Sequence, residues 1–150
     1  MTDNALPAGV LLSFYGDDFT GSSAVMELLS FAGLPTVLFL APPSAAELAR
    51  FKSYRGIGVA GIARAQSPEW MDRELPGVFS ALEQLGAPID HYKNCSTLDS
   101  APPTGSIGRA IDIGVPIFLR AGGRRGLATS SDRGTGHWPL SGFRQPVRRL

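Results

Sequence analysis

Val10-Leu11-Leu12-Ser13-Phe14-Tyr15-Gly16-Asp17-Asp18-Phe19-Thr20-Gly21-Ser22 is the stretch that decides the fold. Val10–Tyr15 is a short apolar run of strand length. Ser23 to Gly33 follows, with Val25, Leu28, Leu29 and Ala32 at helical spacing. Two adjacent carboxylates therefore stand where a strand hands over to a helix. In open α/β sheets ligands bind at that place, outside the carboxyl ends of the strands. Gly16 and Gly21 bracket the acids and permit a tight backbone turn. Thr20, Ser22 and Ser23 offer hydroxyls and amides at a helix start, where an anion is stabilised. An Asx turn with an N-cap accounts for the same letters without chemistry. The bracketing glycines and two later polar stretches favour a site.

The alternation continues outward from this stretch. Thr36–Ala41, Ile57–Ile62, Ile89–Lys93 and Pro116–Leu119 are further short apolar runs, suited to strands covered on both faces. Ser44-Ala45-Ala46-Glu47 is a capping box ahead of a helix. Ser67-Pro68-Glu69 opens another, in which Met71, Leu75, Val78, Phe79, Leu82 and Leu85 recur at helical spacing up to Gly86. Pro76 lies inside that pattern and predicts a kink or two short helices. Ser106 to Ile113 predicts a last short helix closed by Gly114. Strands alternating with helices define an α/β class: a doubly wound, mainly parallel sheet with helices on both faces.

Composition bounds what such a chain does. The 150 residues suffice for one domain with a single core, and 43% are hydrophobic against 18% charged. The net charge of +1 hides an asymmetry. Residues 1–119 carry 7 Lys/Arg and 12 Asp/Glu, whereas residues 120–150 carry 7 Arg and a single acid, Asp132. That second segment has no apolar periodicity and six glycines, so it is expected to be a loose basic tail, separate from the 1–119 domain. It lacks lysine and is poor in aromatics, which argues against a nucleic-acid partner. Cys95 is the one cysteine, so neither an intramolecular disulfide nor a Cys-rich metal site is expected. No apolar run reaches membrane-spanning length, and Met1-Thr2-Asp3-Asn4 lacks a basic leader, so the expected place is the cytoplasm.

Three further stretches carry candidate chemistry. His91-Tyr92-Lys93-Asn94-Cys95-Ser96-Thr97-Leu98-Asp99-Ser100 again follows a strand and brings a cation, hydroxyls and a carboxylate to the edge that holds Asp17 and Asp18. Lys93 suits a carboxylate or phosphate as a point charge; a polar turn after an edge strand is the alternative. Thr104-Gly105-Ser106-Ile107-Gly108-Arg109 is a glycine-containing loop that opens a helix, either an anion cradle or ordinary capping. Arg64 sits after a strand and suits bidentate clamping of a carboxylate, or is a solvated loop arginine. Gly56-Ile57-Gly58-Val59-Ala60-Gly61 has the letters of a dinucleotide fingerprint without a helix opening there, so these glycines are read as places of close backbone approach. His91 and His137 have no ligand-spaced partners, and no metal site is expected.

The strings Tyr15-Gly16-Asp17-Asp18-Phe19-Thr20-Gly21-Ser22, His91 to Ser100, and Gly105-Ser106-Ile107-Gly108-Arg109-Ala110-Ile111-Asp112 together resemble the N-terminal domain of the four-carbon acid sugar kinase family. The resemblance covers roughly residues 9–119 and is closest to members acting on oxo-acid sugars. It implies transfer of the γ-phosphoryl group of ATP, carried with Mg²⁺, to a terminal hydroxyl of a small sugar acid. It implies catalytic roles for Asp17 and Asp18, one of them the base, and a substrate pocket of Arg64, Lys93, Ser96, Thr97 and Asp99. Thr20, Gly21, Gly105 and Ser106 would form the anion loops. Many relatives carry an acid where this chain has Ala24. Residues 120–150 do not resemble the family's next segment, which implies a reading frame shifted after about residue 119 and a nucleotide domain that is not included. Two other classes compete: a non-enzymatic sugar-acid-binding module, and an aspartyl-phosphate phosphatase. The phosphatase needs acids spaced one apart, whereas these are adjacent.

Overall fold

The computed structural model describes residues 6–120 and 126–131. In chain order they form β1 (Leu12–Gly16), α1 (Phe19–Phe31), β2 (Thr36–Phe39), α2 (Ala45–Arg50), β3 (Gly56–Ala60), a 3-10 turn (Ala63–Ala65), α3 (Pro68–Glu83), β4 (Ile89–Asn94), α4 (Ile107–Arg120) and β5 (Gly126–Ser131). The strands make one sheet in the order β2-β3-β1-β4-β5, every pair parallel. The chain leaves β1 towards one edge, to β2. It leaves β3 and β4 towards the other edge. Right-handed crossovers then put α1 on one face and α3 with α4 on the opposite face. The helices following β1 and β4 diverge, so the sheet has its switch point between those two strands.

Period-two alternation divides β1 between the faces. Phe14, fully buried, lies over Gly58, where an added Cβ would stand 2.1 Å from the ring. Tyr15 points the other way, into a core shared with Val59, Met71, Leu75, Phe79, Leu82, Tyr92, Ala110 and Phe118. Aromatic contacts join its layers: Tyr15 stacks on Tyr92 at 5.8 Å, and Phe79 meets the edge of Tyr15 at 5.6 Å and Phe118 at 5.7 Å.

Four of the five predicted strands are present with ends shifted by one or two residues. The fifth is corrected: Pro116–Leu119 is not a strand but the last turn of α4. Four apolar residues in a row do not separate a strand from a buried helix. What decides is the three-to-four spacing of Ile107, Ala110, Gly114 and Phe118, which lays α4 on α3. Gly114 belongs to that contact, its Cα facing the Phe79 ring, and is not a stop. The fifth strand is β5, paired with β4 from Ile89↔Gly126 to Asn94↔Ser131. Gly126–Ser131 of the expected tail form this strand, and residues 121–125 and 132–150 of it lie outside the described residues. Pro76 does not divide its helix either. α3 is continuous because Met71 and Leu75 before it, and Phe79 and Leu82 after it, are anchored in one core.

Truncating Phe118 tests the corrected α4. Phe118→Ala is expected to cost about 3–5 kcal/mol in urea denaturation, the usual range for a buried phenylalanine. A loss below about 1 kcal/mol would place this side chain outside the core.

Candidate functional site

Every polar stretch that follows a strand converges at the carboxyl ends of β3, β1 and β4. The β1–β4 ladder ends with the Asp17 N–H donating to the Lys93 carbonyl at 3.0 Å. On the other side, Gly61 N–H donates to Gly16 O at 2.8 Å and Arg64 N–H to Asp17 O at 3.1 Å. Asp17 is thus held by backbone bonds from both neighbouring segments, and Arg64 is brought beside it.

The two adjacent acids have different fates. Asp18 is the N-cap of α1: its Oδ1 accepts from Gly21 N–H at 2.7 Å, while its backbone carbonyl accepts from Ser22 Oγ at 2.5 Å. The helix therefore begins at Phe19, four residues before the predicted start. Asp17 is 3% exposed, and its Oδ1 has no hydrogen-bond partner among the described residues. Burial, and secondarily the Asp18 charge, push its carboxyl up from 3.8 to about 6, against the opposing pull of the Cys95 backbone, Arg64 and Lys93.

Arg64 lies across the acids. Its Nε and one terminal nitrogen grip Asp99 bidentately at 3.1 and 2.9 Å, and the other terminal nitrogen faces Asp18 Oδ2 at 3.5 Å. Thr97 Oγ1 also donates to Asp99 Oδ1, at 2.7 Å. The Arg64 and Thr97 hydrogen bonds hold the Asp99 carboxyl well below the usual carboxylate range. Leu98, between those two residues, sits at φ 52°, a left-handed conformation that a leucine adopts at a cost.

Lys93 is 4% exposed. Its stem runs along Gly21, where an added Cβ would stand 3.4 Å from Cε and 2.5 Å from Asp18 Oδ1. Among the described residues it forms no ion pair and no side-chain hydrogen bond; its charge is felt by Asp17. Ser96 is exposed on the same turn as Thr97, and Thr20 is exposed in the first turn of α1.

Gly105 and Ser106 have other partners than an anion. Gly105, at φ 62°, donates its N–H to Gln66 O at 2.9 Å, and an added Cβ would stand 2.2 Å from the Arg64 carbonyl oxygen. Ser106 Oγ accepts from Arg109 N–H at 3.2 Å, and Ser100 Oγ from Ile107 N–H at 3.0 Å. This loop caps α4 and braces the Arg64 turn. Neither that brace nor the Cys95 backbone bond to Asp17 has a signal in the residue types, because backbone partners carry no residue-type mark.

Two cavities adjoin these elements. An open groove of about 450 Å³ is bordered by Phe19, Thr20, Ser23, Leu38, Leu40 and Ala60. The enclosed cavity against Ser13, Asp90 and Phe118 has room for about 10 Å³, at most one water.

The acids and the buried cation stand at the switch point of a doubly wound parallel sheet, the place where open α/β sheets hold their ligands. Residues 12–123 match the family described as a sugar-binding N-terminal domain, and the chain belongs to that family. The 3-oxo-isoapionate kinase of Paraburkholderia graminis is 60% identical over 111 residues, covering 74% of this chain and 24% of that protein. The chain thus spans about a quarter of the curated relative's length. A solved structure from Salmonella typhimurium LT2, provisionally described as a tRNA synthase, superposes with a TM-score of 0.62 at 23% identity. It covers 71% of this chain and 24% of its own, and the likeness is one of fold.

Asp17 gives a pH-dependent test. Between about pH 4 and 6 the folded chain binds more protons than the unfolded one, so stability falls as pH rises through that window and stays lower above it. Asp17→Asn removes the titrating group. At pH 7 the variant is expected to be more stable, by up to about 3 kcal/mol, and flat across the same window in urea denaturation. A variant less stable than the parent at pH 7 would mean that the Asp17 charge supports the fold.

Proposed function

We propose that this domain is the sugar-acid-holding part of an ATP-dependent kinase of small sugar acids, four-carbon or branched oxo acids, working in the cytoplasm. The observation that carries the reading is the Asp17 carboxylate, buried at the switch point with one oxygen unpartnered. The family match and the kinase relative support the same reading. A carboxyl raised to about 6 is a fair general base near neutral pH. Asp17 takes the proton of the acceptor hydroxyl as that oxygen attacks the donor phosphoryl group. Asp18, already bonded to Gly21 and facing Arg64, is the anchor that fixes the turn and not the base. Ser96 and Thr97 offer hydroxyls to the remaining polar groups of the ligand.

ATP supplies the phosphoryl group, and positioning it is the main catalytic task. The sequence contains no Gly-x4-Gly-Lys-Ser/Thr loop, so the donor is assigned to a partner site outside residues 12–120. Among the described residues no group of three His, Cys, Asp or Glu side chains converges as metal ligands. Asp18 and Asp99 are turned to Arg64, so this pocket does not fit a resident Mg²⁺, which is assigned to the nucleotide.

Calorimetric titration of the 150-residue chain with a panel of tetronates and oxo-tetronates tests the acceptor half. Binding is expected, weakened by Asp17→Asn about tenfold, or about 1.4 kcal/mol. A coupled assay is expected to show no ADP release by the same chain. Sugar-acid-dependent ADP release that needs Asp17 would put the nucleotide site within these residues and refute the division of labour.

A further inference from the structure

We propose that Lys93, and not Arg64, reads the carboxylate of the ligand, and that Arg64 is a positioning residue for Asp18 and the Thr97–Asp99 turn. This rests on the reading of the site as a sugar-acid pocket and assigns its charge recognition. Arg64 is the obvious clamp by residue type, since its planar fork matches a carboxylate. In the structure that fork is already filled. Nε and one terminal nitrogen face the two oxygens of Asp99, and the other terminal nitrogen faces Asp18. Its backbone is fixed as well, by the N–H bond to Asp17 O and by Gly105 packed against its carbonyl. A ligand carboxylate on Arg64 would have to expel Asp99 and break the Thr97 bond that steadies it.

Lys93 is in the opposite condition. The residue is 4% exposed, its stem runs along Gly21, and it forms no ion pair among the described residues. It also lies against the first turn of α1, the positive end of a 13-residue helix. A largely buried lysine beside a helix N-terminus is a pairing of like signs that an added anion relieves. Asp17 answers part of that charge, and it is the residue whose free oxygen is assigned to the ligand hydroxyl. The Asp17 N–H bonds the Lys93 carbonyl and the Lys93 charge acts on the Asp17 carboxyl, so a small hydroxy acid with its acceptor hydroxyl at Asp17 has its carboxylate within reach of Lys93.

The test compares charge with shape. A four-carbon sugar acid and its primary amide share their hydroxyls and differ by the charge. Both are titrated by calorimetry into the parent chain, Lys93→Met, Lys93→Gln and Arg64→Gln, each checked by circular dichroism and thermal melting. The parent is expected to favour the acid over the amide by tenfold or more. The Lys93 variants are expected to lose that preference while keeping the amide's affinity within about threefold. Arg64→Gln is expected to weaken both ligands by a similar factor and keep the preference. A preference erased by Arg64→Gln and kept in both Lys93 variants overturns the assignment while leaving the sugar-acid reading intact. No binding of acid or amide by the folded parent overturns both.

Discussion

The last rung between β1 and β4, from Asp17 N–H to the Lys93 carbonyl, is the constraint on which the site depends. It is an ordinary ladder bond continued one residue past Gly16. The helices after those two strands diverge, so the rung lies at the switch point of the sheet. It sets Asp17 and Lys93 beside one another on neighbouring strands. Around that rung the neighbouring turns act as braces. The Arg64 turn is tied to Asp17 from one side, and the capping loop of α4 ties that turn to Gln66 from the other. Side chains then complete what the backbone has placed.

The site divides its charges between two tasks. Asp18, Asp99 and Arg64 satisfy one another, with Thr97 and the start of α1 as further partners. Such a half-exposed network contributes modestly to stability, and its value lies in fixing three loops relative to one another. Asp17 and Lys93 are more buried and less satisfied. Groups left in that state are expected where the fold is stabilised elsewhere and the site is reserved for a ligand. Here the stabilising part is the aromatic layer of Tyr15, Tyr92, Phe79 and Phe118 beneath the same strands. Tyr15 and Tyr92 are close in sequence to Asp17 and Lys93, so the core and the site share strands and divide them by face and by end.

Most of this was legible in the sequence, for identifiable reasons. β1, β3 and β4 are buried apolar runs closed by glycine or polar residues, and the acids follow one of them directly. The convergence of Asp17, Asp18, Arg64, Lys93 and Asp99 followed once the strands were taken as parallel. Pro116–Leu119 misled because proline and glycine read as helix breakers, while the packing of Ile107, Ala110, Gly114 and Phe118 against α3 outweighs them. β5 was hidden because Gly126-Leu127-Ala128-Thr129-Ser130-Ser131 is weakly apolar, and its parallel pairing to β4 is a long-range property. The difference between Asp17 and Asp18 was not legible either. Adjacent identical residues are told apart only by which one caps the helix.

Gly21 has a consequence for altering ligand preference by design. Any side chain there meets the Asp18 carboxylate and the Lys93 stem together, and Gly105 is closed in the same way by the Arg64 carbonyl. Random mutagenesis at these positions would return mostly damaged scaffolds. Ser96 and Thr20 are exposed, Thr20 at the border of the open groove beside α1. A library confined to such exposed positions leaves Asp17 and Lys93 untouched, which makes it the economical place to begin redesign.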